Sequence, residues 1–83
     1  MTRRTELEII ALTDHEWRVC DGRLDESDAR RILGYICEDC GQYEVLALKP
    51  APVVCGTFGG LEASIEALVR ATRGPRGGLR PVA

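Results

Sequence analysis

Cysteine is the residue with the most chemistry to offer in this chain. Cys20, Cys37, Cys40 and Cys55 are separated by sixteen, two and fourteen residues, so Cys37 and Cys40 form the only close pair. Cys37-x-x-Cys40-Gly41 has the loop chemistry of a zinc knuckle, in which two thiolates at a tight turn share one ion. A structural zinc takes four ligands, and the second half of the pattern is missing, because Cys20 and Cys55 stand alone. Antiparallel pairing of Trp17–Cys20 with Ile32–Cys37 sets Cys20 near the start of the latter strand. It is then roughly 16 Å from the hairpin tip at about 3.3 Å per residue, whereas zinc holds each sulfur at about 2.3 Å. Zinc is thus the one cofactor the residues suggest, through Cys37 and Cys40, with the remaining ligands drawn from another chain. The leading reading is reduced structural thiols and no cofactor. Thioredoxin-like redox work is disfavoured, since Glu38 and Asp39 between the two thiols oppose the thiolate that such chemistry needs.

The remaining chemical material is thinner. His15 is the only histidine and sits between Asp14 and Glu16 in a polar turn, with no spacing that sets it beside a thiol. Gly56, Gly59 and Gly60 precede a helical segment without the Lys-Ser/Thr of a phosphate loop, and read better as a tight strand-to-helix turn. Asp21, Asp25, Glu26 and Asp28 lack the spacing of a calcium-binding EF-hand. No catalytic residue is assigned, and the expectation is that the chain is not an enzyme. Nucleic-acid binding has some support: Tyr35 and Tyr43 as stacking aromatics beside Trp17, together with Arg73, Arg76 and Arg80 in an Arg/Gly/Pro segment.

Charge weighs on that last reading. The chain has 83 residues, 11 basic and 13 acidic. Every acidic residue lies at or before Glu66, whereas Arg70, Arg73, Arg76 and Arg80 follow it. The first 69 residues carry 7 − 13 = −6 and the remainder +4. An acidic body repels phosphate, while a basic segment attracts it. Hydrophobic content of 45% with 29% charged residues is a globular balance. A chain of this length supports one core and buries about 60–65% of its unfolded surface. No apolar run approaches the roughly 20 residues of a membrane helix, and Glu6 and Glu8 interrupt any secretory apolar stretch. These features predict a cytoplasmic protein that does not engage a membrane.

The elements that position these residues follow from periodicity. Glu6–Leu12 is β-branched enough for a strand, and Trp17–Cys20 alternates as a half-buried strand does before Asp21-Gly22 turns the chain. Arg23–Arg31 reads as a loop closing with one helical turn. Ile32–Cys37 and Tyr43–Leu48 form the clearest hairpin, with Glu38–Gln42 as a five-residue loop whose Gly41 supplies positive φ. Ile32, Gly34 and Ile36 share one face, and Leu33, Tyr35 and Cys37 the other. Pro50 and Pro52 end the hairpin, and Val53–Cys55 is a short edge strand. From Leu61 the period becomes helical. Leu61, Ile65, Leu68, Val69 and Thr72 form one stripe, opposed by Glu62, Glu66, Arg70 and Arg73, until Gly74-Pro75.

The runs Glu16-Trp17-Arg18-Val19, Leu33-Gly34-Tyr35-Ile36, Tyr43-Glu44-Val45-Leu46 and Phe58-Gly59-Gly60-Leu61-Glu62-Ala63 together resemble small uncharacterised single-domain proteins common in actinobacteria. The resemblance covers roughly residues 5 to 70 as a pattern of strand and helix signals. In those proteins the hairpin tip is polar and lacks cysteine, so this sequence departs at Cys37 and Cys40. The resemblance implies a fold and no chemistry. In element order the chain is also similar to small sheet-plus-helix modules that bind nucleic acid or proteins, an analogy at the level of fold.

The resulting expectation is an α+β fold: a small antiparallel sheet of three to four strands with one C-terminal helix packed on one face. Residues 1–73 form a single domain and 74–83 a disordered tail. The function expected is a non-catalytic protein-interaction or dimerisation module whose uncovered sheet face carries Leu33, Tyr35, Leu46 and Leu48 as the interface. Its partner is then itself or another protein, with nucleic acid as an alternative partner through the tail.

Overall fold

The computed structural model describes residues 6–72. Within them the order is β1 (Leu7–Thr13), β2 (Glu16–Asp21), a 3₁₀ turn (Ala29–Arg31), β3 (Ile32–Asp39), β4 (Gln42–Ala47), β5 (Val53–Phe58) and α1 (Leu61–Thr72). The strands pair antiparallel in sequence order β1-β2-β3-β4-β5, a five-stranded meander.

The α+β architecture is as expected, but the sheet has five strands instead of three to four. All five strand-like runs of the sequence join one sheet, and two local features complete its edges. Asp14-His15 is a two-residue connection that makes β1 and β2 a full hairpin, with Thr13 opposite Glu16. At the other edge, a register shift and a positive φ of 122° at Gly56 place a bulge inside β5. A residue with a side chain would resist that backbone conformation at Gly56, and past it the strand continues to Phe58.

The β3–β4 connection is also tighter than a five-residue loop. Glu38 pairs with Tyr43 and Asp39 with Gln42, leaving only Cys40-Gly41 at the tip. Both have positive φ, 54° and 81°, as two-residue hairpins with matching twist require. The Glu38 carboxylate accepts the Gly41 N–H at 2.8 Å and holds the turn closed.

Helix α1 lies over β3, β4 and β5. Val19, Ile36, Val45 and Ala47 from the sheet meet Ile65 and Leu68 from the helix in one buried cluster. Leu61 and Val69 pack at its margin, while Glu62, Glu66 and Arg70 face solvent, so the apolar stripe is where the 3.6-residue period put it. Ser64 and Ala67 are buried beside it. The Ser64 hydroxyl donates to the Gly60 carbonyl at 2.8 Å, which lets a polar side chain sit at the interface without cost to its hydrogen bonding. Small residues here bring the helix close to the sheet, and Gly34 on β3 completes that approach.

Arg23–Arg31 is a loop ending in the 3₁₀ turn. Its Asp28 caps the turn by accepting the Arg30 N–H at 2.9 Å and pairs with the Arg30 guanidinium at 2.7 Å. The Arg30 guanidinium and the Arg30 N–H hold the Asp28 carboxyl down at about 2. Arg31 is buried and reaches Glu8 on β1, and the Lys49 ammonium reaches the Arg30 carbonyl. The segment is thereby tied across the end of the sheet that contains Cys20 and Leu33, both buried outside the helix-side cluster.

Candidate functional site

Backbone pairing sorts the sequence-predicted residues onto two faces, and it separates some that were expected together. Tyr35 pairs with Leu46, and Tyr43 pairs with Glu38. Because paired residues share a face and neighbours along a strand alternate, Tyr43 lies on the helix side and Tyr35 on the opposite side. The two tyrosines therefore form no joint stacking platform. Tyr43 instead packs against the core and meets Trp17 with ring centroids 5.8 Å apart and planes at 32°, an aromatic pair that adds to packing. Arg73, Arg76 and Arg80, and the boundary at residue 74, lie outside the described residues.

The cysteines occupy four different settings. Cys20, opposite Ile32, is buried at the end of the sheet away from the hairpin tip, and burial pushes its thiol up against the opposing pull of Arg31 and Arg18. Cys37 is an exposed strand residue opposite Glu16 and Glu44. Cys40 is in the tip turn, and Cys55 sits at the bulge of β5 against the core. Cys37 and Cys40 do line one open depression, with Asp39, Gln42, Glu44 and Thr57. Among the described residues no group of three or more His, Cys, Asp or Glu side chains is arranged to hold a metal ion.

His15 has a partner that its polar neighbours did not announce. Its Nδ1 lies 2.5 Å from Glu38 Oε1, and the Glu38 N–H donates to the His15 carbonyl at 2.8 Å. The Glu38 hydrogen bond, then its charge, raises the imidazole above its ordinary 6.5. The Gly41 N–H first, then His15, lowers the Glu38 carboxyl. Because the folded His15 binds its proton more tightly, its stabilising contribution is full below 6.5 and is lost as pH rises through the folded value. An NMR titration of the His15 ring protons is expected to give a midpoint above 6.5 in the wild type. In Glu38→Gln the midpoint should return towards 6.5; an unchanged midpoint would refute the pairing.

The helix-free face carries the features that look functional. Ile10, Arg18, Tyr35, Leu46 and Val54 are register partners in succession across all five strands. Ile10, Arg18, Tyr35 and Leu46 are half-buried, while Val54 is 58% exposed. Leu48 continues this surface as a half-buried residue. Leu33 does not: it is 4% exposed, already covered within its own subunit at the end tied down by Arg31, and so drops out of the expected interface. Leu12 adds a further apolar side chain at 42% exposure on β1.

At the centre of this row the Arg18 guanidinium carbon stands 5.9 Å from the Tyr35 ring centroid. Arg18 Nε is shielded from solvent without a hydrogen-bond partner, and Arg18 has no ion pair among the described residues. A buried donor left unmade is costly, and an arginine stacked on tyrosine amid aliphatic residues has the composition of an interface anchor. Nothing in the primary structure marked Arg18. Only its alternation with Trp17 and Val19 could have placed it on the uncovered side.

The next row towards the tip is Glu16, Cys37, Glu44 and Thr57, all exposed. Among the described residues, this face thus combines an apolar row holding an unpaired cation with an adjacent row that carries the unpaired carboxylates of Glu16 and Glu44. No helix among the described residues is long and apolar enough to cross a membrane. No family model, curated protein or solved structure matches the chain.

Proposed function

We propose that this protein is a non-catalytic interaction module that docks a protein partner on the helix-free face of its sheet. The observation that carries the reading is Arg18, stacked on Tyr35 inside a five-strand apolar row, with its Nε shielded and given no acceptor among the described residues. Desolvating such a cation without a partner is unfavourable, and a partner that supplies a carboxylate or carbonyl makes the hydrogen bonds the subunit leaves open. Ile10, Leu46, Leu48 and Val54 surround it with surface that gains by leaving water. One half of the fold therefore stabilises the subunit through the helix, and the other half presents a platform.

The test is site-specific photo-crosslinking in the native host. Benzoyl-phenylalanine placed at Leu46 is expected to give protein adducts of discrete mass, whereas the same residue at Glu66, on the solvent side of α1, gives none of them. Absence of discrete adducts at Leu46, or the same adducts from both positions, would overturn the docking reading.

A further inference from the structure

We infer that the partner presents an extended peptide segment of alternating charge to the helix-free face: an acidic residue for Arg18 and, two residues along, a basic one for Glu16 and Glu44. The inference rests on the docking reading above and adds the chemistry of the partner to it. It follows from which charges the subunit leaves open. At one end of the face Glu8 is taken by Arg31, and Lys49 reaches the Arg30 carbonyl. Arg18, Glu16 and Glu44 have no ion pair among the described residues. Arg18 and Glu16 are two apart on β2 and so share a face, yet the guanidinium stays over the Tyr35 ring. The face is therefore bipolar, cationic in its apolar row and anionic in the next.

Register fixes the spacing. Arg18 is opposite Tyr35, and Cys37, two residues further along β3, is opposite both Glu16 and Glu44. The step between these rows is about 6.6 Å, the same as between alternate side chains of any extended chain. A segment lying along β3 thus sets one side chain over Tyr35, beside Arg18, and its next on that side over Cys37, between the two carboxylates. An acid at the first position makes the charge-assisted hydrogen bonds that Arg18 lacks. A base at the second enters the open depression at the tip, where Asp39 stands with Glu44 and Cys37, and offsets the repulsion among the carboxylates. Two positions before the acid, an aliphatic side chain falls over Leu33 and beside Leu48, which are joined by a backbone hydrogen bond of 2.9 Å.

The uncovered area selects a segment over a folded domain. Five strands at about 4.8 Å and roughly five residues at about 3.3 Å give on the order of 400 Å². A standard stable interface buries about 800 Å² per partner. Six extended residues reach about 20 Å, enough to run the length of the face. The contact is therefore weak, and its selectivity comes from the order and spacing of charge.

Amide chemical-shift titration of the full chain with end-blocked six-residue peptides tests this. The peptide LSESKS is expected to shift the signals of Arg18, Tyr35, Cys37 and Leu46 with a Kd on the order of 1 mM, as so small a contact supports. Three controls should each bind at least about fivefold more weakly. LSKSKS loses the acid, LSESES loses the base, and LSEKSS keeps the composition but puts the two charges on opposite sides of the chain. Arg18→Glu should move the preference to LSKSKS, and Glu44→Lys, at an exposed position, should move it to LSESES; dispersed spectra show that each variant folds. Peptides that bind alike, no binding, or folded variants that leave the preference unchanged overturn the inference. So do Leu46 photo-adducts with the mass of two copies of this chain, which make the occupant a second copy. Failure of the peptides beside discrete Leu46 adducts of another mass leaves the docking reading standing; failure of the peptides with no adducts sinks both.

Discussion

Gly34→Ala is expected to destabilise the protein by at least about 3 kcal/mol, the upper end of what overpacking a core costs. A Cβ at this position would lie 2.3 Å from the Leu46 carbonyl oxygen, 2.6 Å from Leu68 Cδ1 and 3.2 Å from the Ala47 Cα. The leucine could rotate away, but the other two contacts belong to the backbone of β4. That backbone is fixed by pairing to β3 on one side and to β5 on the other. Relief requires the helix to lift and the central ladder to open together. For a domain of this size, with total stability on the order of 5 kcal/mol, most of the folding free energy is at stake. Urea unfolding of Gly34→Ala should show a large drop in midpoint or no native baseline. A midpoint close to wild type would show that the helix does not approach the sheet this closely. Adding Leu68→Ala should recover little, because the carbonyl contact persists.

This position also shows what the primary structure does and does not reveal. Alternation placed Gly34 and Ile36 on one face and Tyr35 and Cys37 on the other, and the pairing bears that out. The amphipathic stripe of α1 was equally legible, since its 3.6-residue period needs no knowledge of the sheet. What period alone could not supply was distance between elements. That Gly34 is a contact point, and that Ser64 is buried rather than solvated, depend on how closely the helix settles. Strand ends were blurred for a similar reason. Cys40 in a positive-φ turn and the bulge at Gly56 are decided by cross-strand pairing, not by local preference.

The candidate site was legible only in outline. Tyr35, Leu46 and Leu48 share the helix-free face, but alternation alone could not show it, because pairing across a five-residue loop sets Tyr43 beside Tyr35 and no period tells which face the helix covers. Tyr43 was misplaced because an assumed five-residue loop shifts its side by comparison with the two-residue turn that forms. Arg18 escaped notice because a charged residue in a strand ordinarily points to water. Its significance lies in being shielded without an acceptor, a fact that exists only once β1, β3 and the Tyr35 ring are in place around it.

Leu68→Ala is the second substitution with a large expected effect, in the upper part of the about 2–5 kcal/mol range for leucine truncation. Leu68 is fully buried in the cluster with Val19, Ile36, Val45, Ala47 and Ile65. Its Cδ1 occupies the space that Gly34 leaves for want of a side chain. The cavity made by truncation is thus walled by paired strands, which cannot collapse into it as a flexible side chain would, and residual cavity volume is what raises the cost. Leu46→Ala is the informative comparison, because the residue type is the same and only the face differs. Leu46 is half-buried among Tyr35 and Val54 on the uncovered side, and its truncation should cost under about 1 kcal/mol in the isolated subunit. Urea unfolding at low protein concentration, with equal m-values across the set, measures both. A Leu46→Ala cost equal to that of Leu68→Ala would mean that the helix-free face is core in its own right, and Arg18 would lose its claim to be an anchor. A small cost would show that Leu46 is an apolar residue at the surface that the fold of the subunit does not need.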